Sequence, residues 1–198
     1  MKLKSILLTT LVLASTAAWA EPSHRAFVTN EKDNTVSVID TKTNEVINTI
    51  NIGERPRGIG LSPDQKQLYV AISEEGAIAV VNLDTLEVVK KLDAGDDPET
   101  FDVAPNGNIY ISNEDDAQAS VIDPKTGETI EVIPVGLEPE GVAVSPDGSL
   151  VLVTSESTNM VHVIDTAKHK VVKNILVAAR PRGLAFNSDG SLAYSSSE

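Results

Sequence analysis

The chain has 198 residues, with 16 basic side chains against 29 acidic ones and a formal net charge of −13. A chain this acidic repels nucleic acid and anionic membrane surfaces. It contains no cysteine, which excludes disulfides, thiolate metal centres, thiol catalysis and C-x-x-C-H haem attachment.

Residues 1–20 read MKLKSILLTTLVLASTAAWA. Lys2 and Lys4 precede a largely apolar run from Ile6 to Leu13, and Ala18-Trp19-Ala20 closes the segment. This is the pattern of a secretory signal peptide cleaved after Ala20. The run is shorter than the roughly 18 apolar residues of a membrane span. The expected product is a periplasmic or secreted chain, residues 21–198, with no membrane span. Losing Lys2 and Lys4 leaves 14 basic against 29 acidic residues.

The rest of the chain repeats itself. FVTNEKDNTVSVID starts at Phe27, YVAISEEGAIAVVN at Tyr69, YISNEDDAQASVID at Tyr110 and LVTSESTNMVHVID at Leu152. YSSSE opens an incomplete copy at Tyr194, and the steps are 42, 41, 42 and 42 residues. The short step falls in the turn Pro105-Asn106-Gly107-Asn108, one residue shorter than Pro63-Asp64-Gln65-Lys66-Gln67.

Within a copy, GVAVS after Pro139 alternates small and apolar residues, and Pro146-Asp147-Gly148 turns the chain. LVLVTS is a second strand. MVHVID alternates with period two, predicting a half-buried third strand, and VVKNILV is the fourth. Four strands per repeat of this length predict an all-β fold, a β-propeller of four-stranded antiparallel blades. About four blades are present. The chain enters at the second strand of a blade and stops at Glu198 in the second strand of another. That predicts a partial propeller, an open arc with two unprotected edges.

These residues resemble the YVTN family of propeller repeats, through Phe27-Val28-Thr29-Asn30, NTVSVID, the Pro-x-Gly step and Ser62-Pro63-Asp64. Further stretches (GERPRGI, DDPETF, EPEGVAVSPDG, TSESTNMVHVIDT) are similar to the branch associated with pyrroloquinoline quinone (PQQ)-dependent alcohol catabolism. The resemblance implies an exported, seven-bladed ring, of which about three blades are absent here. It implies a periplasmic quinoprotein dehydrogenase or transport component as partner. It carries over no catalytic residues.

Strand order puts two loop types on one face of such a fold, called here the top. The first is the Pro-x-Gly loop, in four copies: Arg55-Pro56-Arg57, Asp97-Pro98-Glu99, Glu138-Pro139-Glu140 and Arg180-Pro181-Arg182. Proline fixes φ and glycine permits close packing near the axis. The flanking charges need another reason. Four of the five arginines stand here and none of the lysines, and arginine offers a planar fork suited to carboxylates. Two partners suit them. One is internal, an interblade network with Glu99, Glu140 or neighbouring acids. The other is external, an anionic small molecule or a partner protein. In a seven-bladed ring the two arginine copies would face each other across the channel mouth. PQQ is a tricarboxylate, so a PQQ contact there has chemical sense, without covalent attachment of any cofactor.

The second top loop forms an acidic rim at Glu31, Glu114, Glu156 and Glu198, with Ser73 in the remaining copy. The rim either gives solubility or offers oxygen ligands to a hard cation, although no EF-hand spacing is present. Asp64, Asp147 and Asp189 are expected in bottom-face turns, and Asp40, Asp123 and Asp165 at third-strand ends. His24, His162 and His169 share no repeat position, so they form no metal or haem site. No nucleophile elbow, P-loop or dinucleotide fingerprint occurs. The single Trp lies in the leader, so the chain lacks the Trp on which propeller quinoproteins stack PQQ. The expected function is an exported binding or scaffold protein accessory to PQQ-dependent alcohol oxidation. The alternatives are a lactonase-like propeller enzyme and a surface-layer or adhesion module.

Overall fold

The computed structural model describes residues 24–198; the expected signal peptide lies outside them. Seventeen strands form five antiparallel sheets in chain order. The first holds β1 (Arg25–Asn30), β2 (Thr35–Asp40) and β3 (Glu45–Asn51). The second holds β4 (Pro56–Leu61), β5 (Gln67–Ile72), β6 (Ala77–Asn82) and β7 (Glu87–Asp93). The third holds β8 (Pro98–Val103), β9 (Ile109–Asn113), β10 (Gln118–Asp123) and β11 (Glu128–Pro134). The fourth holds β12 (Pro139–Val144), β13 (Leu150–Ser155), β14 (Met160–Asp165) and β15 (Lys170–Leu176). The last pairs β16 (Pro181–Phe186) with β17 (Ala193–Ser197). These boundaries fall where the repeat spacing predicts them.

The sheets stack face to face as propeller blades, with β4, β8, β12 and β16 in successive contact. Three core clusters fill the first three gaps. Val36, Val38, Leu68 and Val70 meet in the first, Ile78, Val80, Ile109 and Ile111 in the second, and Tyr110, Val121, Val151 and Val153 in the third. Stacking corrects one expectation. MVHVID is not half-buried, because Val161, His162 and Ile164 on its two faces are all buried. A sheet with neighbours on both sides has no solvent face along its inner strands.

The bottom turns behave as their sequence predicts. Asp64 accepts from the Lys66 amide at 3.1 Å, Asp147 from Ser149 at 3.0 Å and Asp189 from Ser191 at 2.9 Å. At third-strand ends, Asp40, Asp123 and Asp165 accept from amides two residues on at 2.7, 2.8 and 3.0 Å. These are Asx turns, local bonds that close each hairpin.

Candidate functional site

Each Pro-x-Gly loop begins with a residue in the left-handed region. Arg55, Asp97, Glu138 and Arg180 have φ of 56°, 40°, 53° and 51°. None is glycine, so each conformation carries a cost of order 1 kcal/mol. What holds it is the neighbouring rim loop. The carbonyls of these four residues accept the amides of Ser73, Glu114, Glu156 and Glu198 at 3.1, 3.1, 2.8 and 3.4 Å. The two loop types therefore share one face, as strand order predicts. Asn34 and Asn159 reach across from the preceding sheets, accepting from the Arg55 and Arg180 amides at 3.1 and 3.0 Å.

The strand after each proline carries a β-bulge, between Pro56 and Ile59, Pro98 and Phe101, Pro139 and Val142, and Pro181 and Leu184. A bulge re-aims one side chain, here Arg57, Glu99, Glu140 and Arg182. The glycines answer a close backbone approach. A Cβ on Gly58 would stand 2.9 Å from the Thr100 Cα, and one on Gly141 would stand 1.9 Å from the Arg182 carbonyl oxygen.

The arginines meet the chain's own acids. Arg55 pairs with Asp97 at 2.7 Å, Glu99 at 2.9 Å and Glu31 at 3.5 Å. Arg57 pairs with Glu31 at 3.2 Å and also with Glu99. One sheet pair further along the stack, Arg182 binds Glu156 at 2.7 Å, Glu140 at 3.2 Å and Glu198 at 3.3 Å. Arg180 binds Glu198 at 2.8 Å and also Glu156. The internal alternative is thus realised, in two separate networks. Among the described residues no ion pair joins the two.

Glu99 is wholly buried. Burial pushes its carboxyl up, to about 7, and nearby Glu140 adds to the rise, while Arg57 and Arg55 pull the other way. Burial likewise raises Glu140, against the pull of Arg182. Glu99 lines a hollow of about 300 Å³ with Arg57 and Glu31, and Glu140 lines a second of about 400 Å³ with Arg182.

The remaining acids sit between the two networks. Glu138 accepts from the Ser157 hydroxyl. Carboxylate oxygens of Asp97, Glu99 and Glu114 lie within 4.8 Å of one another. Two of these three already pair with Arg55.

Sequence reasoning passed over the hydroxyls that set these loops. Thr29 donates to the Arg57 carbonyl at 3.0 Å, Ser112 to that of Glu140 at 2.6 Å and Thr154 to that of Arg182 at 3.1 Å. Their signal is the Thr or Ser recurring near the end of the second strand in every copy but the second, which has Ala71.

The comparisons agree on the architecture. A family model described as a YNCE-like β-propeller matches residues 105–190. Nothing among curated proteins matches the chain. Of solved structures, hydrazine synthase of Kuenenia stuttgartiensis is similar with a TM-score of 0.79 and 25% identity, over 84% of this chain and 50% of that one. A functionally unknown protein of Desulfotomaculum acetoxidans has a TM-score of 0.75 and 17% identity, over 87% of this chain and 59% of that one. The chain spans half to three-fifths of the length of these structures. With stacked four-stranded blades, a matching propeller family model and propeller-fold neighbours, the chain is a repeat β-propeller.

Proposed function

We propose that the protein is an exported, non-catalytic propeller that serves PQQ-dependent alcohol oxidation by holding a ligand or partner protein at its charged top face. The observation that supports this is the ion-pair belt, which ties the first sheet to the second, the second to the third and the fourth to the fifth. Charges locked in this way present a fixed pattern, and preorganisation favours binding.

The belt has replaceable members. The side chains of Glu31 and Glu198 are 46% and 56% exposed, and exposed pairs contribute little. An incoming carboxylate takes their place on Arg57 or Arg182 while Glu99 and Glu140 keep theirs. PQQ, with three carboxylates, fits that exchange, and so do surface acids of a periplasmic quinoprotein dehydrogenase or transport component. Calorimetry of PQQ against the protein and an Arg180→Ala/Arg182→Ala variant tests the ligand. Heat that weakens in the variant is expected; no heat, or equal affinity, overturns it.

A second reading rests on Glu99 and Glu140. A buried carboxyl raised to about 7 beside the raised Glu140 suits proton transfer at neutral pH. A lactonase-like propeller would use such a pair. Lactone hydrolysis that is lost in Glu99→Gln would favour that reading.

A further inference from the structure

A larger cleft, of about 620 Å³, opens on the bottom face between the second and third sheets. The repeats show what creates it. In each copy one residue of the turn before the fourth strand has a left-handed φ: Asn44 at 60° in the first sheet, then Leu86 at 59°, Gly127 at 79° and His169 at 48° in sheets that have a sheet before them. Beneath it stands the aromatic that opens or enters the second strand of the preceding sheet. Leu86 and Phe27 pack against the same core cluster. His169 stacks on Tyr110 with ring centroids 6.2 Å apart. Gly127 has no side chain to set at this place, and Tyr69, 3% exposed, is covered by the core of its own junction and only borders the cleft.

The shortened turn adds to the opening. Elsewhere the turn glycine of one sheet packs on the turn proline of the sheet before it. A Cβ on Gly148 would lie 3.0 Å from Pro105, and one on Gly190 would lie 3.2 Å from Pro146. A Cβ on Gly107, in the turn one residue short, would meet nothing within 4 Å. Two departures from the repeat therefore coincide at one junction.

The lining is distinctive for so acidic a chain. Lys66, Lys90 and Lys125 all border the cleft. Among the described residues the lysine ion pairs are Lys91–Glu75 and Lys168–Asp165, so these three hold no carboxylate. Lys90 is half-buried, and its Nζ donates to a neutral acceptor, the Pro124 carbonyl, at 2.6 Å. Asp64 and Asp84 also border the cleft, but Asp64 is engaged by the Ser62 hydroxyl at 2.7 Å and the Lys66 amide at 3.1 Å. Pro63 and Pro105, both exposed, supply apolar wall, with the buried Tyr69 and Pro124 behind them. One repeat on, Glu131 and Ala167 stand where Lys90 and Lys125 do.

We propose that this cleft binds a small organic polycarboxylate with a flat, apolar body. Its carboxylates meet the three ammonium groups and its body lies against the exposed Pro63 and Pro105. A partly buried ammonium with one neutral partner gains most from such an anion. The cleft volume is that of a small-molecule site. The site is independent of the top face.

Calorimetry with benzene-1,3,5-tricarboxylate tests it on the full chain. Binding that weakens with added salt is expected, with none for the neutral triamide. Gly127→Leu and Lys90→Met should each weaken binding by about tenfold or more, the loss of one strong contact. Arg182→Ala should leave it unchanged, which separates this site from the top face. Leucine already occupies the equivalent turn position at Leu86, and a Cβ on Gly127 would meet only Leu92, at 3.5 Å. Wild-type affinity in Gly127→Leu, equal binding of the triamide, or no heat with the wild type overturns the proposal. Should Gly127→Leu lose its fold by circular dichroism, the exposed pair Lys66→Gln/Lys125→Gln decides in its place, and unchanged affinity overturns the proposal.

Discussion

Arg57 and Glu99 form an ion pair across the junction of the second and third sheets, one side chain 25% exposed and the other not at all. The pair is asymmetric in what its loss would do. Removing the arginine leaves a buried carboxylate with Arg55 as its remaining partner, whereas removing the carboxylate leaves two arginines that reach water. Breaking a buried pair from one side costs about 3–5 kcal/mol, and Arg55 offsets part of that. Because Glu99, already raised to about 7, can take a proton instead of standing unpaired, Arg57→Ala should destabilise by no more than about 1–2 kcal/mol near neutral pH and Glu99→Gln by less. Urea unfolding midpoints rank them; a larger loss for Glu99→Gln would contradict the asymmetry.

The second cluster predicts a smaller effect for the equivalent arginine. The Arg182 side chain is 41% exposed against 25% for Arg57, although two of its three partners, Glu156 and Glu140, are buried. Solvent screens the pairs of the more exposed arginine, so Arg182→Ala should shift the urea midpoint less than Arg57→Ala does. The comparison holds fold position constant, because both residues occupy the same place in the Pro-x-Gly loop.

Gly141 tests the backbone argument without touching a charge. Its Cβ position overlaps the Arg182 carbonyl oxygen of the next inner strand. Gly141→Ala must push two inner strands apart, and overpacking of this kind costs about 1–3 kcal/mol. Gly107→Ala adds a Cβ that touches nothing, so any loss there comes from its φ of 98° alone. Thermal melts of the two variants should separate, with Gly141→Ala the lower.

Much of this was legible in the sequence because it depends on local chemistry repeated four times. Strand boundaries, Asx turns and the shared face of the two charged loops follow from spacing and turn residues. The internal partners of the arginines were legible as one of two alternatives. What decides between them is the bulge after each proline, which aims Arg57 and Glu99 at each other and leaves no mark on a single repeat. The double burial around His162 was misread because strand alternation assumes a solvent face. The cleft beside Tyr69 was hidden for a related reason. Gly127 matters only in register with Leu86 and His169, and the short turn matters only against Pro63 of the sheet before.

Two buried groups give opposite pH dependences. Glu99 has a folded pKa raised from 4.5 to about 7, so the folded state binds the extra proton between those values and stability falls as pH rises through that window. His162 behaves the other way. Its Nε2 accepts from the Gly136 amide at 2.9 Å and its Nδ1 lies 2.8 Å from the Asn174 side-chain oxygen. That pattern requires neutral imidazole with the proton on Nδ1, and burial lowers its pKa below 6.5. Its contribution is present above 6.5 and is lost as pH falls through the folded value. Glu99→Gln should reduce the loss of stability on going from pH 5 to 8, leaving the decline due to Glu140, which burial also raises. His162→Gln should remove the loss on the acid side and leave the neutral side unchanged. Urea midpoints across this range check both, and a Glu99→Gln profile that declines as steeply as the wild type above pH 6 would assign that slope to another group.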